Sequence, residues 1–449
     1  MILRMTILTR LFLIVLLTIL PAAAHAQAGM NIIRDAEMEE EIAKWTAPII
    51  RAAGMQPDQI NFILVQSDEV NAFVAGGANI FIYTGLIDKT DSPLELLGVI
   101  AHELGHITGG HLTRSAALGE NLSYEVLLGT ILGGAAALLS GEGGALMAGT
   151  AAANQTAMAQ MLAHSRVQEA SADQASITYL KGAGISPGGT LTFLGKLEDQ
   201  ELLPASQQSA YMRTHPVTRE RIENLKTRVG SATSADYSPE IGDAYKMIKA
   251  KLVGFTKPQQ VEWFYPPSDN SMPARYARTI ANYRTNKLND AVKGIDALIA
   301  EQPNNPYFYE LKGQMLFEGG RVGDAVKPYK TAIDKDPKSG LLRMYYAQAL
   351  MESAPNSKAA QQEGIEQLKR AILTEDRSPR AHRMLATAYG RIGMEAQTAL
   401  HLAEEALLQK RYGEAKSNAE RALRGLPAGS PDALKAQDIL DLAGRAKKD

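Results

Sequence analysis

His102-Glu103-Leu104-Gly105-His106 is the stretch whose reading decides the fold of the first half of the chain. Ser92, Pro93 and Glu95 upstream supply a helix start: a hydroxyl cap, a proline whose missing N–H is harmless at the first helical position, and a capping-box carboxylate. On the helix they open, residues four apart share a face. The imidazoles of His102 and His106 can therefore bind one metal ion, while Glu103 reaches a water molecule beside it. A zinc ion held there lowers that water's pKa toward ~7, and Glu103 can take the proton and hand it to a leaving amine. With 8 histidines in 449 residues, two at this spacing in mid-helix are not a matter of abundance.

A catalytic zinc site needs a third protein ligand and an open position. The chain has no cysteine, so ligands must come from His, Asp and Glu. His111 falls one residue short of the place a third histidine takes in metzincin sites, although Gly109 fits that pattern; it reads as a turn residue or an outer support. Glu169 is the stronger candidate, in Arg166-Val167-Gln168-Glu169-Ala170-Ser171-Ala172-Asp173. Glu169 and Asp173 lie four apart on one helical face. The first can coordinate the ion and the second can accept a hydrogen bond from a ligand imidazole, fixing its tautomer.

Around this centre the chain divides. Arg4 and Arg10, an apolar run from Leu11 to Leu20, Pro21 and the triplet Ala24-His25-Ala26 predict a secretory signal peptide, 1–26, cleaved after Ala26. The apolar run is short for a membrane anchor. Export with no cysteine means no disulfides and no lipid on an N-terminal cysteine. A formal charge of −2 excludes a strongly basic surface and with it nucleic acid as a partner. Asp35 opens a helix with Met38, Ile42, Trp45 and Ile49 on one face. Asn61–Val65, Val70–Val74 and Ala78–Tyr83 read as strands, with a bend at Gly76-Gly77. The apolar stretch 126–153 cannot span a bilayer as a helix; it reads as a buried helical hairpin over the site or, alternatively, as one making peripheral contact with a membrane. Gly230–Pro239 and the proline-rich stretch Pro258–Pro273, which holds Trp263, read as connecting segments.

Beyond residue 274 helix follows helix with a recurring period. Gln302-Pro303 and Asp336-Pro337 are 34 residues apart, each after an apolar helix end, and Gly323-Asp324-Ala325 and Gly413-Glu414-Ala415 mark helix starts. Ala332-Ile333 recurs as Ala371-Ile372 after a longer interval, so an insertion is expected near Ser353–Gln361. The pattern resembles the tetratricopeptide repeat family, without its signature tryptophan.

Taken together, His102 to His106, Glu169 with Asp173, Asn71-Ala72-Phe73 and Gly76-Gly77 leading to Thr84-Gly85-Leu86, and His215-Pro216 with Arg221 resemble the metallopeptidase family that includes the HtpX-type proteases and the CAAX prenyl endopeptidases. The resemblance implies an α+β zincin-type (gluzincin) protease domain with a small sheet at 27–228, a connecting segment at 229–273 and an all-α tetratricopeptide solenoid at 274–449. It implies one Zn²⁺ held by His102, His106 and Glu169, Glu103 as general base and acid, and Asp173 orienting a ligand. His215 would take the open coordination position and hold the enzyme latent, and Arg221 would lie near the substrate or a carboxylate. The strand near Asn71–Val74 would be the edge that receives substrate. Members with a signal peptide and such repeats are periplasmic. By that likeness the partners would be unfolded or stalled outer-membrane β-barrel proteins and, through the repeats, the outer-membrane assembly machinery.

Overall fold

The computed structural model describes residues 31–111, 151–204, 207–230 and 237–445, with side chains of the second stretch from 166 onward. The expected signal peptide, 1–26, and residues 126–150 of the expected hairpin lie outside the described residues.

A four-stranded sheet forms one wall of the first half. β1 (Ile32–Ile33) runs antiparallel to β2 (Asn61–Val65), β2 parallel to β4 (Asn79–Tyr83), and β3 (Ala72–Ala75) antiparallel to β4, so β3 is an edge in the order β1-β2-β4-β3. Gly76 and Gly77 turn β3 into β4 with φ of +61° and +97°, a backbone region that side chains disfavour. Alternation sorts the strands' side chains. Leu64, Ala72, Val74, Ile80 and Ile82 point into the main core, while Val65, Phe73, Phe81 and Tyr83 form a second cluster, with Phe73 stacked on Phe81 at 4.8 Å.

Helices cover the core face. α1 (Ala36–Ala52) is capped by Asp35, whose carboxylate accepts from Met38 N. After the short α2 (Thr84–Lys89), α3 (Pro93–Thr108) is buried along residues 93–105 and carries the two histidines through the middle of the domain. Its start differs from the expected capping box. The Ser92 hydroxyl makes no cap bond, and Glu95 instead accepts from Asp91 N and pairs with Lys196 at 2.6 Å. α4 (Ala151–Gly182) packs along α3, followed by α5 (Gly188–Gly195), α6 (Ala210–Thr214) and α7 (Arg219–Val229).

Where the sequence suggests a connecting segment, the chain forms the 18-residue helix α8 (Pro239–Thr256) and then the short α9 (Val261–Phe264). Tyr245, Ile248 and Leu252 of α8 enter the sheet-bearing core, and Ala250 and Val253 enter the core of the helices that follow. Apolar groups on two faces leave no single stripe, which is why this helix is hard to read in a sequence.

α10 (Met272–Arg284), α11 (Leu288–Glu301), α12 (Pro306–Glu318), α13 (Val322–Lys335), α14 (Gly340–Ser353), α15 (Lys358–Ala371), α16 (Pro379–Arg391), α17 (Glu395–Leu408), α18 (Tyr412–Leu423) and α19 (Pro431–Arg445) each pack on the next. This is the solenoid the 34-residue period predicts. The insertion expected near Ser353–Gln361 is met there only in part. The α14–α15 turn, 354–357, has four residues against three between α12 and α13, with the Gln361 amide donating to the carbonyls of Met351, Ala354 and Pro355. The α15–α16 connection, 372–378, has seven against four between α13 and α14. Among the described residues no helix is long and apolar enough to cross a membrane.

Candidate metal centre

α3 and α4 approach closely because Gly105 has no side chain. A Cβ there would lie 2.8 Å from the Ala172 carbonyl oxygen and 2.9 Å from the Ala172 Cα. The contact sets His102 and His106, one turn apart on α3, directly against Glu169 of α4. His102 Nε2 and His106 Nε2 are 3.0 Å apart; Glu169 Oε2 is 3.2 Å from the first and Glu169 Oε1 is 3.3 Å from the second. Ligand atoms on a tetrahedron around a zinc ion, with bonds of about 2.0–2.1 Å, stand ~3.3 Å from one another. The three side chains thus sit at the separations that a shared ion requires.

A second ring of groups holds the first. Asp173 Oδ1 is 2.9 Å from His102 Nδ1, which directs the other ring nitrogen of His102 toward the centre. Arg221 of α7 grips Asp173 with two bonds, Nε to Oδ2 at 2.7 Å and Nη2 to Oδ1 at 2.9 Å, and its Nη1 lies 2.8 Å from Glu169 Oε2. Arg221 is thus tied to two carboxylates, of which the sequence anticipates one loosely. His111 Nδ1 meets His106 Nδ1 at 2.9 Å and stands to His106 as Asp173 stands to His102.

His215 comes from a different element. It caps the C-terminus of α6, rather than starting a helix, with its N–H donating to the Tyr211 carbonyl at 2.7 Å. Its Nδ1 lies 3.0 Å from Glu169 Oε1 and its Nε2 lies 3.4 Å from Glu103 Oε1. The ligand atoms of His102, His106, Glu169 and His215 all fall within 4.8 Å of one another. Glu103 Oε1 and His215 Nε2 face each other at 3.4 Å, buried and without a hydrogen-bond partner, a cost that a cation and its water would relieve. The donor set of imidazole and carboxylate, the spacing and the orphaned atoms all fit zinc.

The charges are arranged for the same purpose. Burial opposes ionisation of Asp173, but the hydrogen bond from His102 and the Arg221 guanidinium hold it at about 2; Glu169 is held well below the carboxylate range against the same burial by His215, His102 and Arg221. Burial, with the charge of His102, pushes His106 down to about 3, so it presents a neutral lone pair. Burial would lower His102 too, yet Glu169 and Asp173 raise it to about 9, so its ring carries a proton that a bound zinc ion would have to displace. Burial raises Glu103, suiting it to receive a proton.

Sequence reasoning missed Tyr211. Its ring lies 4.8 Å from that of His215, and its N–H donates to the Val70 carbonyl at 3.0 Å, tying the His215 segment to the chain that enters edge strand β3. The only signal was an aromatic four residues before a candidate ligand.

Residues 34–229 match the model of peptidase family M48. The chain is 25% identical over 341 residues, 73% of its length and 68% of the relative's, to the beta-barrel assembly-enhancing protease of Escherichia coli (strain K12). Against the protein of that name from Yersinia pestis it is 24% identical over 395 residues, 87% of this chain and 80% of that one. It is also 29% identical over 202 residues, 44% of this chain and 74% of the relative, to metalloprotease LoiP of Escherichia coli (strain K12). Family match and metal-ready geometry coincide on the same helices, and residues 34–229 are an M48 peptidase domain that makes this chain a zinc metalloendopeptidase.

Proposed function

We propose that the chain is a periplasmic endopeptidase that degrades misfolded or stalled outer-membrane proteins and assists their assembly, with His102, His106 and Glu169 as zinc ligands and Glu103 as general base and acid. The observation that carries the site assignment is the convergence of three ligand atoms at 3.0–3.3 Å with a carboxylate, Glu103, buried beside them. When bound, the ion supplies Lewis acidity toward a peptide carbonyl and a water acidic enough to act at neutral pH. Asp173 and Arg221 keep His102 and Glu169 oriented, and Glu103 moves the proton. Edge strand β3 offers backbone groups on which an extended substrate can add as a further strand. The β-barrel clients and the periplasmic setting follow from the names of the relatives and the predicted signal peptide.

A second reading is favoured by His215. Its contacts to both Glu103 and Glu169 support a reading in which its imidazole stands in the path of substrate and water, the resting protein being a latent protease whose repeats act as an assembly factor. Glu103→Gln separates the two. We expect client degradation to fall ~10²–10⁴-fold with zinc content unchanged, while client assembly persists. Degradation at the unsubstituted rate would overturn the role of Glu103, and loss of assembly along with degradation would remove the independent chaperone role.

A further inference from the structure

The face that alternate helices α10, α12 and α14 turn toward the protease domain is occupied by four consecutive residues of that domain, Arg34-Asp35-Ala36-Glu37, at the junction of β1 and α1. Each is read separately. Arg34 Nη2 pairs with Glu375, at the α15–α16 turn, at 2.7 Å, and the Tyr345 hydroxyl donates to the Arg34 carbonyl at 3.1 Å. Lys251 of α8, 2% exposed, pairs with Asp35 at 2.8 Å and with Glu37 at 3.0 Å, and the buried Tyr276 hydroxyl donates to Glu37 at 2.9 Å. Ala36 belongs to the apolar cluster of the repeats, with Tyr307, Tyr329 and Leu342, and not to the core of its own domain.

We propose that this face is a peptide-recognition surface for a basic–acidic–small–acidic sequence at a helix start, filled in this structure by residues 34–37, and that a partner protein presenting the same pattern binds by displacing them. The pattern follows from the contacts. A buried ammonium stripped of its two carboxylates is strongly disfavoured, so only an incoming segment that returns two acids to Lys251 can replace the resident one. An acid at the Arg34 position would meet Glu375, and a side chain larger than alanine would have to be fitted into the buried cluster that Ala36 shares with Tyr307 and Tyr329. The resident segment is covalently attached and holds the face at an effective concentration on the order of millimolar, so displacement also parts the repeats from α1.

The absence of cysteine makes a clean test available. The full chain carrying Arg34→Cys and Glu375→Cys is prepared either joined by a short bismaleimide or capped singly with N-ethylmaleimide. Each form is titrated with a fluorescein-labelled peptide copying residues 31–43. We expect the capped form to bind at least tenfold more tightly than the joined form, and the peptide bearing Asp35→Asn and Glu37→Gln to bind neither. On the unsubstituted chain, saturating peptide should raise hydrogen exchange at the amides of 34–40. Equal binding by joined and capped forms, no binding by the capped form up to millimolar peptide, or unchanged exchange at 34–40 would overturn the proposal. So would a dimer that exchanges these segments between copies in place of peptide binding.

Discussion

At the scale of single residues the centre depends on pairs in which one member sets the other. Asp173 fixes His102, and Arg221 fixes Asp173 and Glu169 together. Asp173→Asn removes one charge from that chain, and zinc affinity should fall ~10–100-fold, as measured by competition with a chelator, with the fold retained. His215 is held by Tyr211, by ring contacts at 5.2 Å with His102 and with His106, and by the carboxylates of Glu103 and Glu169. His215→Ala should keep zinc content equal and raise hydrolysis of unfolded casein several-fold; unchanged activity would contradict latency. Much of this was legible in the sequence, because residues four apart on a helix announce a shared face whatever they pack against. His102 with His106, and Glu169 with Asp173, are such pairs. The sequence marks His111 as a turn residue or outer support, and the resemblance implies substrate or a carboxylate near Arg221, but the second carboxylate held by Arg221 and the role of Tyr211 were not legible. They depend on how α6 and α7 close over α3 and α4, and no local period encodes that.

At the scale of elements the site is made by two helices that touch. Gly105, between His102 and His106, lets the α4 backbone at Ala172 come within reach. Gly105→Ala forces the helices apart by several tenths of an ångström in a region without room to give. We expect a loss of about 1–3 kcal/mol in stability by overpacking together with weakened zinc binding, read from chemical denaturation with and without metal. Wild-type stability with intact metal binding would show that the approach is not needed. The elements themselves were readable where one face is apolar, as in α1 and the repeat helices. Strand β1, two residues long, and α8, apolar on opposite faces, were not. The first is too short to show alternation, and the second lacks the stripe on which helix recognition rests.

At the scale of the whole molecule two cores are joined through α8 and a buried charge cluster. Glu310 of α12 lies among Lys251, Asp35, Glu37 and Glu318, and burial, opposed by Lys251, raises its carboxyl to about 8. The folded state therefore holds a proton that the unfolded chain releases near 4.5, the ordinary value for a glutamate. That contribution to stability is complete below the lower value and is lost as pH climbs through the higher one. Melting temperature should decline from pH 5 to 9 in the native sequence and decline less in Glu310→Gln, at about 2–4 °C for each kcal/mol recovered; parallel profiles would refute this. The account as a whole stands on one zinc ion held by α3 and α4 and closed off by the segment from α6. Zinc-edge X-ray absorption on the purified full-length chain reads that shell directly. The predicted result is one zinc per chain with three imidazole nitrogens and one carboxylate oxygen at about 2.0–2.1 Å. A chain that takes up no zinc, or zinc in an oxygen-only shell, would contradict it.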